Sequence, residues 1–252
     1  MSYCLGKKPA RENAVALKLR DYVDLSQLPT PPASFGHYGM VPSWQMLGND
    51  QYGDCGIAGP FHAIMLHNAM AGRPVNINTD CTVAAYSAIT GFTPGDPDTD
   101  QGSDCGHVAD YWLNTGLVDA DGKAHKIEGA VALDPGNLEE LYVAMYLLGA
   151  VGIGVSLPAQ WQNDFQAGRK WDAVPYPQLE GGHYILGCGS INGDINVVTW
   201  GQNQLLTPRG YEEFNDETFA YLSMEVLNGL ATVDGFNDAQ LREDFDYLRR
   251  NA

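Results

Sequence analysis

Three things are in short supply in this chain, and each shortage closes off a class of function. Positive charge comes first: 14 Lys and Arg face 31 Asp and Glu, for a formal charge of −17. Binding to phosphate backbones works by counterion release to a basic surface, so nucleic acid is not an expected partner. Long apolar runs are missing as well. The longest, near Leu141 to Leu157, is broken by glycines and reads as a helix followed by a buried strand, too interrupted to span a bilayer. The opening Met1-Ser-Tyr-Cys-Leu-Gly-Lys-Lys has no signal-peptide core, which sets the expectation of a cytoplasmic protein. Cysteine is the third. Cys4, Cys55, Cys81, Cys105 and Cys188 are odd in number and lack metal-ligand spacing, which fits a reducing compartment better than a disulfide framework. Cys81 and Cys105 would pair only if the fold brought them together. No cofactor and no metal is expected, and there is neither an internal repeat nor a low-complexity tract.

What remains is ordinary globular material, 44% hydrophobic, long enough for one large domain or two lobes. Five of the basic residues, Lys7, Lys8, Arg11, Lys18 and Arg20, crowd into the first twenty positions. Such an arm docks on an acidic partner or on a neighbouring copy of the chain, or else is a solvated leader helix. The apolar spacing of Val15, Leu17, Leu19, Tyr22 and Val23 suggests that helix, and the Pro- and Gly-rich stretch to Trp44 reads as an extended surface segment. Helices are expected from Cys55 to Ala71, over 79–92 and 107–115, and from Asn137, as N-cap, to Leu148. Pro60 sets the start of the first, because proline is cheap only in a helix's opening turn. Strand character is expected up to Leu133 and over Val151–Leu157. A hairpin follows, Tyr184–Cys188 with Ile195–Trp200 around Ile191-Asn-Gly-Asp. Two helices, Asp216–Asn228 and Asp238–Arg250, complete the expectation. A helical first half and a strand-rich second half make the fold α+β, with a cleft between the halves.

The chemistry concentrates in Asn49-Asp-Gln-Tyr-Gly-Asp-Cys55-Gly and, far downstream, Gly181-Gly-His183. A thiol is a poor nucleophile until something lowers its pKa, and a helix N-terminus and an imidazolium both do so. Cys55 stands where the helical pattern begins, at the positive end of a helix dipole. His183 opens a strand.

This order of parts resembles the papain-like cysteine peptidase fold. It places a nucleophile at the start of a long helix in a helical lobe, a histidine on a β-barrel-like lobe, and a Trp-Gly turn behind it. The counterparts are Asp54-Cys55-Gly56, Leu148-Gly-Ala-Val-Gly-Ile-Gly-Val, Gly181-Gly-His183-Tyr and Thr199-Trp200-Gly201. The Asp-Cys-Gly step is also similar to the bacteriocin-processing branch. The resemblance covers roughly residues 45–205 and divides the chain into an N-terminal arm and linker (1–44), a papain-like domain (45–210) and a C-terminal helical extension (211–252). It implies Cys55 as nucleophile and His183 as base. The amide six positions before the nucleophile, Asn49, would form the oxyanion hole with the Cys55 N–H, and Gln51 competes for that role. The family places Asn or Asp two residues before the Trp to orient the imidazole. That position here is Val198, and Thr199 is the substitute, able to accept the imidazole Nδ1–H if the hairpin is tighter by one residue.

The resemblance implies a thiol hydrolase that cleaves a peptide or amide bond in a peptide or protein substrate. The alternative is a degenerate structural or binding protein, such as a bacteriophage virion or assembly component, with subunit contacts or a homo-oligomer built on the arm and the C-terminal helices. An enzyme should hold Cys55 within hydrogen-bond reach of His183 in an open cleft. A structural protein should fill that cleft, with residues 26–44 or the tail, though filling also suits a self-inhibited zymogen. His62 and His67 are read as packing or surface residues. The loop Asp96 to His107 has the alternating carboxylates of a calcium loop but lacks its Gly and its final Glu, so it is read as a solvated acidic loop.

Overall fold

Cys55 does start a helix. In a computed structural model of the chain, in which residues 3–223 and 237–251 are described, α1 runs Cys55–Met70 and is buried on every side as far as Leu66. Pro60 lies just beyond the first turn, so the Gly56 carbonyl loses its intrahelical donor; proline fixed the register less tightly than expected. Helix α2 (Thr79–Thr90) is capped by Asn78 and α3 (Cys105–Asn114) by Asp104, whose side chains accept from Cys81 N and His107 N. Asn137 caps α4 (Leu138–Leu148) as its sequence predicts, accepting from Glu140 N.

The strands are β1 (Phe35–Gly36), β2 (Leu117–Val118), β3 (Ala124–His125), β4 (Gly129–Leu133), β5 (Val151–Pro158), β6 (Leu179–Ile191), β7 (Asp194–Thr199), β8 (Gln202–Leu206) and β9 (Asn215–Leu222). Among the described residues one sheet runs β4-β9-β5-β6-β7-β8, with β1 beside β6, and a small ladder joins β2 to β3. All its pairings are antiparallel. The sheet is open, not a closed barrel. Both hairpins at its β6-β7-β8 end use two-residue loops with positive φ at each position. Asn192 and Gly193 have φ 53° and 88°; Trp200 and Gly201 have φ 44° and 72°. The first is the Asn-Gly turn expected from sequence.

Successive residues of β6 face opposite cores. Ile185 joins Leu141, Ile153, Trp161 and Trp171, the core shared with α4, α5 (Ala159–Gln166) and α6 (Pro208–Phe214). Tyr184 and Leu186 join Ile57, Phe61, Tyr86 and Trp112 on the α1 side. The sheet is thus a middle layer between two sets of helices.

Two expectations are overturned. The helix predicted over Asp216–Asn228 is strand β9 as far as Leu222, between β4 and β5; its residues 224–228 lie outside the described residues. Residues 3–25 are not a helix but an extended arm with one 3-10 turn, Leu19–Asp21. Leu19 and Tyr22 enter one core and Val15 the other, so the apolar spacing records docking to two surfaces. The last predicted helix is present as α7 (Asp238–Asn251). All five cysteines are free thiols.

Candidate active site

The turn of residues 47–53 leads into α1 with Cys55 at its first position, and β6 runs past it: the Tyr184 N–H, one residue after His183, contacts the Cys55 sulfur. A second N–H reaches the same sulfur from Gly6. Cys55 and His183 are both fully buried.

Thr199, the last residue of β7, sits with its Oγ1 2.7 Å from His183 Nε2. The bond is therefore made to Nε2, not to Nδ1 as the sequence suggested. Val198 points into the α1-side core instead, consistent with strand alternation. Nδ1 carries no hydrogen bond, so Cys55 and His183 are not hydrogen-bonded to each other. Trp200, held at positive φ in the next turn, stacks on the imidazole with centroids 4.6 Å apart and planes 23° apart. A bulky residue in this backbone region carries strain of the order of 1–3 kcal/mol, retained only where packing fixes it.

Asn49 and Gln51 separate clearly. Asn49 is buried, its Nδ2 3.5 Å from the Tyr52 carbonyl, whereas Gln51 is exposed. Beside Asn49 lies Asp54, fully buried, with neither carboxylate oxygen in a well-formed hydrogen bond; burial raises its pKa well above the ordinary value, while the Asn49 amide pulls it down. The turn before Cys55 is braced from the acidic loop: the Asp100 carboxylate accepts from Gly53 N and from the Tyr86 hydroxyl. Among the described residues no group of three or more His, Cys, Asp or Glu side chains is arranged to hold a metal ion. His62 is a packing residue, its Nε2 shared between the Trp44 and Gln45 carbonyls. His67 Nε2 meets the Leu148 carbonyl.

Sequence reasoning missed what lies across the site. Residues 3–8 run through the cleft between the helical half and the sheet. Lys7 N donates to Gly182 O, Ser103 N donates to Gly6 O, and Lys8 N donates to Ser103 O. Gly6 is wedged so closely that a Cβ on it would stand 1.8 Å from Gly53 O. Tyr3 stacks on the outer side of Trp200, centroids 4.5 Å apart, and its N–H donates to Gln162 Oε1. The Lys7 ammonium, fully buried, lies 2.9 Å from Asp216 Oδ2 and 3.2 Å from Glu217 Oε1. Arg11 pairs with Asp104 and Arg20 with Asp134, so the acidic surface that the basic arm meets is this chain's own. Among the described residues the cleft is filled by residues 3–8, not by residues 26–44 or by α7. The one available signal was the basic cluster set against the adjacent pair Asp216-Glu217.

The electrostatics follow from that cover. Burial pushes the Cys55 thiol up to about 11, only partly offset by the two N–H groups and Lys7. Burial alone lowers His183 to about 3. Thiol and imidazole are both neutral at pH 7.

The fold that holds Thr199 on the imidazole, an indole stacked over it and a thiol at a helix start has likenesses among solved structures. Xylellain, a cysteine protease from Xylella fastidiosa, superposes with a TM-score of 0.67 at 12% identity, over 88% of this chain and 97% of that one. The fold is that of the papain-like cysteine proteases. Two further papain-like structures agree. Procathepsin B from Trypanosoma congolense gives a TM-score of 0.61 at 14% identity, covering 87% of this chain and 86% of its own. The Carica candamarcensis cysteine protease CMS1MS2, solved with E-64, gives 0.58 at 15%, covering 76% of this chain and 99% of its own. No family model matches the sequence, and no curated protein matches it. At these identities the papain-like likeness is one of fold.

Proposed function

We propose that the chain is a thiol hydrolase of peptide or amide bonds, held latent by its own residues 3–8. The observation that carries this reading is the hydrogen bond between His183 Nε2 and Thr199 Oγ1, in which Nε2–H donates and Nδ1 is left as the free base, on the strand whose next residue contacts a thiol at a helix N-terminus. With the arm displaced, His183 Nδ1 takes the Cys55 proton and the sulfur attacks the substrate carbonyl carbon. The oxyanion is met by the Cys55 N–H, left without an intrahelical partner at the start of α1, and by the Asn49 side-chain amide. Gln51, being exposed, is not assigned this role. As the C–N bond breaks, His183 returns the proton to the leaving amine, leaving a thioester. Water then loses a proton to His183, adds to the thioester carbon and expels the sulfur, which recovers its proton. Thr199 acts through His183 as a positioning residue, and Trp200 keeps water from their hydrogen bond.

The latency is physical. The thiolate is the nucleophile, and burial opposes its formation while the arm is seated; the Gly6 N–H favours the thiolate but stands where a substrate would approach. What the arm offers the sulfur is an N–H rather than a carbonyl carbon.

The rival reading, a protein that keeps this fold as a structural or assembly component, is favoured by the filled cleft and by Thr199 in place of the amide or carboxylate orienter. Hydrolysis of a quenched-fluorescence peptide library by the Lys7→Glu variant, with and without Cys55→Ala, tests between the two. Turnover that Cys55→Ala abolishes is the expected result. Absence of turnover, with Cys55 labelled by iodoacetamide and hence accessible, would give the structural reading precedence.

A further inference from the structure

The deepest contact of the arm is a side chain in a charged pocket. Lys7 Nζ makes three polar contacts, with Asp216 Oδ2 (2.9 Å), Glu217 Oε1 (3.2 Å) and the Lys8 carbonyl (3.0 Å). Three is the full donor capacity of an ammonium group. Its side chain is wholly buried, and the pocket admits it because position 154 is glycine: a Cβ there would stand 2.2 Å from Lys7 Cε. Glu217 is itself buried and bonded to the Cys105 thiol, which fixes the carboxylate on the pocket wall. The adjoining backbone is gripped by Gly182 O and by Ser103 N and O, groups that grip an extended peptide whatever its side chains. Gly6, the residue before, is the one that touches the Cys55 sulfur.

We infer that the pocket of Asp216, Glu217 and Gly154 is the specificity pocket of this cleft, and that it selects a peptide carrying lysine one residue from the position at Cys55. The inference rests on the reading of Cys55 as nucleophile only where it names the substrate; selection of lysine by the pocket stands apart from catalysis. A carboxylate pair with one member buried and the other partly exposed is costly without a cation, so an uncharged side chain of the same length is rejected because it leaves that charge unpaired. Lys7 occupies the pocket in the latent protein, so arm and substrate compete for it.

The test uses the full-length Lys7→Glu variant and synthetic hexapeptides of the residue 3–8 sequence with Cys4→Ser, carrying lysine or uncharged norleucine at the position of Lys7. The first readout is protection of Cys55 from iodoacetamide, which needs no turnover. Half-protection is expected at a concentration at least tenfold lower for the lysine peptide, and Glu217→Gln is expected to reduce that ratio severalfold or more. The second readout is hydrolysis of fluorogenic peptides differing only in lysine or norleucine next to the residue whose carbonyl is attacked, on its amine side, as Lys7 follows Gly6 in the arm. Lysine-selective protection without hydrolysis would uphold the pocket and sink the hydrolase reading. Equal protection by both peptides, or a lysine preference untouched by Glu217→Gln and by Asp216→Asn, would overturn the pocket. Hydrolysis indifferent to lysine would overturn its role in substrate choice.

Discussion

Replacing Lys7 by glutamate turns the strongest contact of the arm into a repulsion. The wild-type ammonium is fully buried against two carboxylates, one buried and one with 28% of its side chain exposed. Breaking a buried ion pair by removing one partner costs about 3–5 kcal/mol, and the exposure of Asp216 trims that to about 2–3 kcal/mol. Every 1.4 kcal/mol is tenfold, so the population with the arm undocked rises about 30- to 150-fold. Two effects then act on Cys55 together: reagent can reach it, and its pKa falls from about 11 toward the ordinary 9.0. The second adds to the first, because relief of burial raises the thiolate fraction near neutral pH within the undocked population. The assay is the iodoacetamide rate at pH 7.5, read peptide by peptide in a mass spectrometer. Cys188, buried and pushed up to about 12, reports global unfolding. Acceleration of at least thirtyfold at Cys55, with Cys188 unchanged, is expected. Equal acceleration at both would mean that the variant unfolds, and no acceleration at Cys55 would refute the latch.

Gly6→Ala should release the arm without touching its charge, because the new methyl meets Gly53 O; Cys55 labelling should rise as in Lys7→Glu, with the melting temperature nearly unchanged. Thr199→Val should lower kcat of an arm-released variant about tenfold, the worth of one neutral hydrogen bond, and shift the acid limb of its pH profile, while KM stays put. Acid should destabilise the fold through its neutral histidines. His183 is held at about 3 and His62 at about 4, so below the unfolded value of 6.5 the unfolded chain binds protons that the native chain refuses. Stability from each is complete above pH 6.5 and declines as pH falls toward the folded value. For His183 the decline is about 2–3 kcal/mol between pH 7 and 4.5, so urea midpoints of wild type and His183→Gln should converge over that range; parallel midpoints would contradict it.

The helices and hairpins were legible because their signals are local. Asn137 announces a cap, Asn192-Gly193 a tight turn, and the Gly-Asp step before Cys55 a helix start. Strand β9 was not legible because both its faces are buried: Thr218, Phe219, Ala220 and Tyr221 all face cores, and without a solvent face there is no alternation to read. The arm failed for the opposite reason, its apolar residues being shared between two cores in a spacing that imitates a helical stripe. At the site, the helix start at Cys55 and the pairing of His183 with Thr199 were legible from residue order, yet the nitrogen that Thr199 holds depended on ring orientation, which no spacing encodes. Lys7 meets Asp216 across 209 positions, a contact only the folded chain can reveal.

Tyr3 lies flat on the outer side of Trp200, whose indole is otherwise enclosed by His183, Phe165 and Trp171. Departure of the arm therefore uncovers an indole that is 1% exposed when the arm is seated. The molecule carries its own optical gauge: emission from Trp200 should shift to the red on undocking, at the moment the thiol becomes reachable. Stopped-flow fluorescence could then time the uncovering of Cys55 in the unlabelled protein, with no substrate added.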